Sequence, residues 1–187
     1  MKNIAIIIVL LAGFSSVTAQ EFEKTTAYNV SVNGSMDEQE LVQNTATLAT
    51  GVERSITLTT FPLAAVENIH NISISELQHP GLEGITKVLK IETNYVEYCS
   101  YIVSQYILVT SNGDYISLPS IGNTHCNDTI SEVRYLFPNQ KFGKANQIVR
   151  AEVGYTKTAS VSTSLIQQIF IWNDDNFGTM GAITDNL

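Results

Sequence analysis

Three histidines, His70, His79 and His125, are the side chains best suited to proton transfer near neutral pH or to holding a metal ion. None stands in a His-x-His or His-Glu-x-x-His spacing, so no metal site is predicted from them. His79 precedes Pro80 and reads as a loop residue. His70 shares parity with Ile72 and Ile74, which points it inward as a core histidine. His125 is adjacent to Cys126 and is expected to line a loop beside the cysteines. Carboxylates are frequent but scattered, among them Glu21, Glu23, Asp37, Glu38, Glu40, Glu92, Glu97, Glu132 and Glu152. A glycosidase needs two of them facing one cleft. No local spacing assembles such a pair, and solvated surface acids are the expectation.

There is no Gly-x-Ser-x-Gly elbow, no phosphate-binding glycine loop and no dinucleotide fingerprint. Asn173 to Gly178 has Asn, Asp and Gly at three calcium-loop positions, but Phe177 occupies the fifth and Thr184 the twelfth. An EF-hand is thereby excluded, and a turn rich in Asn, Asp and Gly is the simpler reading. The sequence therefore predicts no catalytic residue, no cofactor and no metal.

Cys99 and Cys126 are the only cysteines. In an exported chain two cysteines are expected to pair, and a metal site would need more ligands than His125 supplies. Export itself is legible at the N-terminus. Lys2 supplies a positive start, Ile4 to Phe14 an apolar core, and Val17-Thr18-Ala19 the small residues of a cleavage site. Residues 1–19 are read as a signal peptide, cut before Gln20, and residues 20–187 as a single β domain. The apolar run spans about 16 Å as a helix, too little for a hydrocarbon core of about 30 Å. No second long apolar stretch follows, so no transmembrane segment is predicted in the mature chain. The leader resembles those of exported bacterial envelope proteins, which gives a secreted or periplasmic location. Sequons stand at Asn29, Asn33, Asn71 and Asn127; they matter only in a cell that glycosylates exported proteins.

The 187 residues carry a formal charge of −8, against the basic footprint a nucleic-acid binder needs. The same sign disfavours an anionic lipid surface. Tyrosines gather around Asn112, and Phe170, Trp172 and Phe177 lie near the C-terminus. Tyr98, Tyr106, Tyr115 and Trp172 are the candidates for contact with a partner protein or a glycan, because exposed aromatic rings stack and anchor well. The competing reading is that these rings simply suit strands.

The elements that would position these residues are written in period two. Tyr28, Val30 and Val32 alternate with polar neighbours, as do Ile72 and Ile74, Leu89 and Ile91, and Val149, Ala151 and Val153. This predicts antiparallel strands with one buried and one wet face. Asn112-Gly113 predicts a two-residue type I′ hairpin, with Val109 opposite Ile116 and Ile107 opposite Leu118. Ser100 to Gln105 has no clean parity, which predicts a bend, a bulge or burial on both faces. Val161 to Trp172 splits into Leu165, Ile169 and Ile171 on one side and Ile166, Phe170 and Trp172 on the other. Such a strand is covered on both sides or lies at an oligomer contact. Ser35 and Glu38 have capping-box spacing ahead of Leu41, Val42, Thr45 and Leu48, so a short helix competes with a strand there. The fold class is all-β, an antiparallel β-sandwich with an up-and-down barrel as the alternative and at most one or two short helices.

Three functions remain open. The first is an exported, non-catalytic β domain that binds an envelope protein or a glycan. The second is a barrel-type carrier of a small apolar ligand, its inward faces lining a cavity. The third is a hydrolase whose site is assembled from distant loops.

Overall fold

A computed structural model describes residues 19–36, 42–50, 56–63, 69–96, 99–126, 131–156 and 161–172. Residues 1–18 of the expected signal peptide, the Asn173–Gly178 segment and Tyr98 lie outside the described residues. Among the described residues there are twelve strands: β1 (Glu23–Lys24), β2 (Tyr28–Met36), β3 (Val42–Thr50), β4 (Ile56–Leu63), β5 (Ile69–Gln78), β6 (Ile85–Val96), β7 (Ser100–Thr110), β8 (Tyr115–Ser117), β9 (Ile121–His125), β10 (Ser131–Leu136), β11 (Gln147–Tyr155) and β12 (Val161–Ile171). All pairings are antiparallel. No helix occurs among the described residues.

The strands form three open sheets and not a closed barrel. The six-stranded sheet runs β1-β5-β6-β7-β8, with β9 also on β7, and the others run β2-β3-β4 and β10-β11-β12. Alternation along β6 and β7 explains the layering. Leu89, Ile91, Ile107 and Val109 face Ala46 and Leu48 of β3, with Tyr28 and Val30 of β2 at the margin. Val88, Tyr106 and Leu108 face the other way, onto Tyr135, Phe137 and Ile148. The large sheet is therefore covered on both faces, a β-sandwich with an added layer. The central strand β7 is buried continuously from Ser104 to Val109, while Ser100 to Val103 stay partly exposed, so burial on both faces reaches only the end of the mixed-parity run Ser100 to Gln105.

This architecture decides one open choice in favour of strand and corrects three sequence expectations. The region with capping-box spacing enters β3, paired to β2 from Met36↔Val42 to Tyr28↔Thr50. Thr45, Thr47 and Thr50 are β-branched and pack better on a pleated surface than in a helical turn. His70 is exposed, because it is left without a partner between Ile69↔Tyr95 and Asn71↔Asn94. That bulge adds one residue and turns the imidazole out.

The Asn-Gly hairpin forms, but one residue out of the expected register. Leu108 pairs with Ile116 and Val109 with Tyr115. The Thr110 N–H donates to the Asp114 carbonyl, and the Gly113 N–H donates to the Thr110 carbonyl. Only Gly113 has positive φ, at 88°. This is a three-residue loop, a type I turn closed by glycine in the left-handed region, where a type I′ turn would need Asn112 there as well. The Thr110 hydroxyl accepts from the Asp114 N–H at 2.9 Å and favours the longer loop. The slip inverts the faces of β8, so Ile116 joins the cluster around Leu108 and Tyr115 the one around Val109.

The parity of β12 is broken by a second bulge. Ile166 pairs with Ala151 and Gln168 with Arg150, leaving Gln167 unpaired. Directly opposed residues share a face. Ile166 thus joins Ile169, which lies opposite Val149, and Leu165 falls on the other face opposite Glu152.

Candidate interaction surface

The sequence-predicted contact aromatics occupy different environments. Tyr106 has no exposed surface and lies edge-on to Tyr135, with ring centroids 5.1 Å apart. Trp172 is 7% exposed, and its indole N–H donates to the Glu83 carbonyl at 2.8 Å. Both serve the core between the large sheet and β10–β12, because their parity directs them there and the buried indole finds a carbonyl partner. They offer no surface to a partner in this conformation. Tyr115 is half-buried against the opposite core. Of the histidines, His79 is exposed in its loop at φ 46°, and His125 pairs with Ser100 at the end of β9.

The cysteines meet where β7 begins and β9 ends. The Ser100↔His125 pair is the last rung of that ladder, and Cys99 and Cys126 lie one step beyond it. Their Cα atoms are 4.9 Å apart, and the sulfurs are at disulfide distance.

Spacing along the chain gave no sign of the main cluster of charges, which three segments contribute. Lys90 and Glu92 come from β6, Glu132 and Arg134 from β10, and Glu21 from the segment before β1. Lys90 and Arg134 are both buried. The Lys90 ammonium lies 2.6 Å from Glu92. The Arg134 guanidinium lies 3.2 Å from Glu21 and 3.8 Å from Glu132, and it donates to the Tyr155 hydroxyl at 3.0 Å. The Tyr155 hydroxyl in turn donates to Glu132. Nearby, the Asn123 side chain donates to the Val133 carbonyl and accepts from its N–H, reproducing a backbone ladder between β9 and β10.

Burial opposes the charge on Lys90, but Tyr106, Glu92 and Glu132 outweigh it and hold the ammonium above the ordinary lysine range. Burial also opposes the charge on Arg134, and Tyr155, Tyr106 and Glu21 restore it. Burial pushes the Tyr135 phenol up to about 12. Tyr155 also rises to about 12, through burial first and through its bond to Glu132. The Arg134–Glu21 pair ties the segment before β1 to the β10-β11-β12 sheet, while the other pairs stay within one sheet.

The shifts set the alkaline limit of the fold. A phenol whose folded pKa exceeds its unfolded value near 10 keeps its proton longer when folded. The associated stability is complete below pH 10 and is lost as pH rises toward 12. Lys90 acts with the same sign. We expect urea midpoints that fall steadily from pH 10 to pH 12, with a shallower fall in Tyr135→Phe and Tyr155→Phe. Midpoints unchanged across that window would contradict the assignment.

The outer surface carries a different feature. Among the described residues the exposed large hydrophobics are Tyr101, Phe142, Leu165, Ile166 and Ile171. Three of them lie on β12, with Leu165 63% exposed, Ile171 41% and Ile166 38%. β12 pairs with β11 and, among the described residues, with nothing on its other side. From Val161 to Trp172 it contains no Lys, Arg, Asp or Glu. Edge strands are commonly guarded by charge, proline or bulges. Here two bulges are present, at Ser162 and Gln167, and neither charge nor proline accompanies them.

Two surface clefts flank the other end of the large sheet. One, of about 450 Å³, lies between the Lys24–Val30 segment and Ile72–Ile74. The other, of about 380 Å³, is lined by Gln20, Glu21, Glu23, Glu76 and Gln78. No group of three metal-ligating side chains occurs among the described residues.

The fold and surface thus define a layered antiparallel β domain with an apolar edge. No family model, curated protein or solved structure matches the chain.

Proposed function

We propose that this is an exported, non-catalytic binding domain whose partner is a protein of the cell envelope, received along the β12 edge. The observation that carries this reading is the coincidence on one strand of exposed Leu165, Ile166 and Ile171, an unpaired side and no charge. A strand edge recognises an extended partner through main-chain hydrogen bonds, and exposed apolar side chains add contact area. The leader-like N-terminus and the cysteine pair at disulfide distance support an extracytoplasmic location. So does the lack, among the described residues, of any helix long and apolar enough to cross a membrane.

A protein partner is favoured over a glycan because the aromatic candidates Tyr106 and Trp172 are spent on the core. It is favoured over a small apolar ligand because Val88, Leu89, Ile91, Ile107 and Leu108, which would line a carrier's cavity, are packed against neighbouring sheets. The test is a photoreactive phenylalanine analogue in place of Leu165, activated in intact producing cells. A discrete cross-linked protein is expected, absent when the analogue replaces Phe142. No adduct at position 165, or the same adducts at both positions, would contradict the reading.

A further inference from the structure

We infer that the protein received along β12 is a second copy of this chain, paired antiparallel across a two-fold axis beside Leu165; this rests on the reading of β12 as a docking edge. A two-fold contact places the same patch on both sides, so the patch must be complementary to itself. The composition of β12 meets that condition. Leu165 meets its own copy beside the axis, and Ser162, Thr163, Ser164, Gln167 and Gln168 each carry both donors and acceptors.

Charge points the same way. Each chain has a formal charge of −8, so two copies repel wherever acidic surfaces meet. A contact centred on the uncharged run from Val161 to Trp172 puts no acid directly opposite another. The bulges fix where pairing is regular. Ser162 and Gln167 are the unpaired residues, and Thr163, Ser164, Leu165 and Ile166 between them run in unbroken register with Gly154, Val153, Glu152 and Ala151. This four-residue stretch holds the most exposed apolar side chain, Leu165. Centring the axis there joins the two β10-β11-β12 sheets into one six-stranded sheet and removes both open edges.

The test is the oligomeric state of the full mature chain, by sedimentation equilibrium over a dilution series. A reversible dimer is expected. Leu165→Lys combined with Ile171→Lys should weaken it by about tenfold or more, because the charge placed at position 165 meets its own copy across the axis and the one at 171 adds to the charge on an otherwise uncharged edge. Phe142→Lys, also at an exposed apolar residue, should leave it intact. Far-UV circular dichroism checks that the double variant folds, and Leu165→Asn provides a neutral second variant expected to weaken the dimer. Leu165→Cys should give a covalent dimer on mild oxidation, since the native cysteines are paired with each other. A monomer at every concentration would overturn the inference, as would a dimer unaffected by these substitutions. Should that monomer still cross-link a different protein through position 165, the docking edge would stand and only the second copy would fall. Should it cross-link nothing, both would fall.

Discussion

Replacing Arg134 with Met is expected to destabilise the fold by about 1–3 kcal/mol, because it leaves the partly buried Glu132 without its cation. Arg134 is 6% exposed and joins Glu21, Glu132 and Tyr155. Without it, Glu132 retains the Tyr155 hydroxyl and the field of Lys90, which already lies 2.6 Å from Glu92. The charge is then undercompensated in a region that water reaches poorly. Adding Glu132→Gln to Arg134→Met should recover part of the loss, since the orphaned charge is removed with its partner. Glu21→Gln should cost less than about 1 kcal/mol, because that carboxylate is half exposed. Urea denaturation of the three variants measures these differences. An Arg134→Met protein as stable as the wild type would show that the cluster is dispensable.

Opening the Cys99–Cys126 link should cost about 3–4 kcal/mol. The cysteines are 27 residues apart, and releasing that loop returns entropy to the unfolded chain. The β7–β9 ladder already holds the two ends together up to Ser100↔His125, so the bridge extends an existing alignment. For a domain of this size the loss corresponds to a fall in Tm of roughly 10 °C. Thermal scans with and without reductant measure it, with Cys99→Ser/Cys126→Ser as the permanent form. Thiol titration of the unreduced, denatured protein should find no reactive cysteine, and two free thiols would contradict the pairing.

Much of this architecture was legible because period-two patterning is a local signal. Leu89 and Ile91 against Lys90 and Glu92 give β6 its two faces directly, whereas of the mixed-parity run Ser100 to Gln105 only Ser104 and Gln105 are buried. The errors arise where one residue is inserted. The bulge at His70 turned an inward expectation outward, and the bulge at Gln167 moved Ile166 to the face of Ile169. Alternation cannot register an extra residue, since side chains on either side of it still look periodic. The hairpin at Asn112 failed differently: the turn was visible, but the Thr110 hydroxyl chose the longer loop.

The site was less legible than the fold. Tyr106 and Trp172 stood out by residue type, and only tertiary packing reveals that they close the core. The charged cluster joins Glu21 to Arg134 across more than a hundred residues, so no local spacing could announce it. The apolar edge had a trace in the sequence, since a run of apolar residues on both parities of Val161 to Trp172 suggested either double cover or an oligomer contact. Exposed Leu165 and Ile166, on opposite faces of β12, show that double cover is absent among the described residues.

Amide hydrogen exchange along β12 in dilute solution tests the open edge most directly. In an edge strand every second N–H points away from the sheet. The account predicts fast exchange at alternate residues between Thr163 and Ile166, beside slow exchange throughout Tyr106 to Val109 on β7. Uniform slow exchange across β12 in the dilute protomer would mean that the edge is already occupied by its own chain, and the docking surface would not exist.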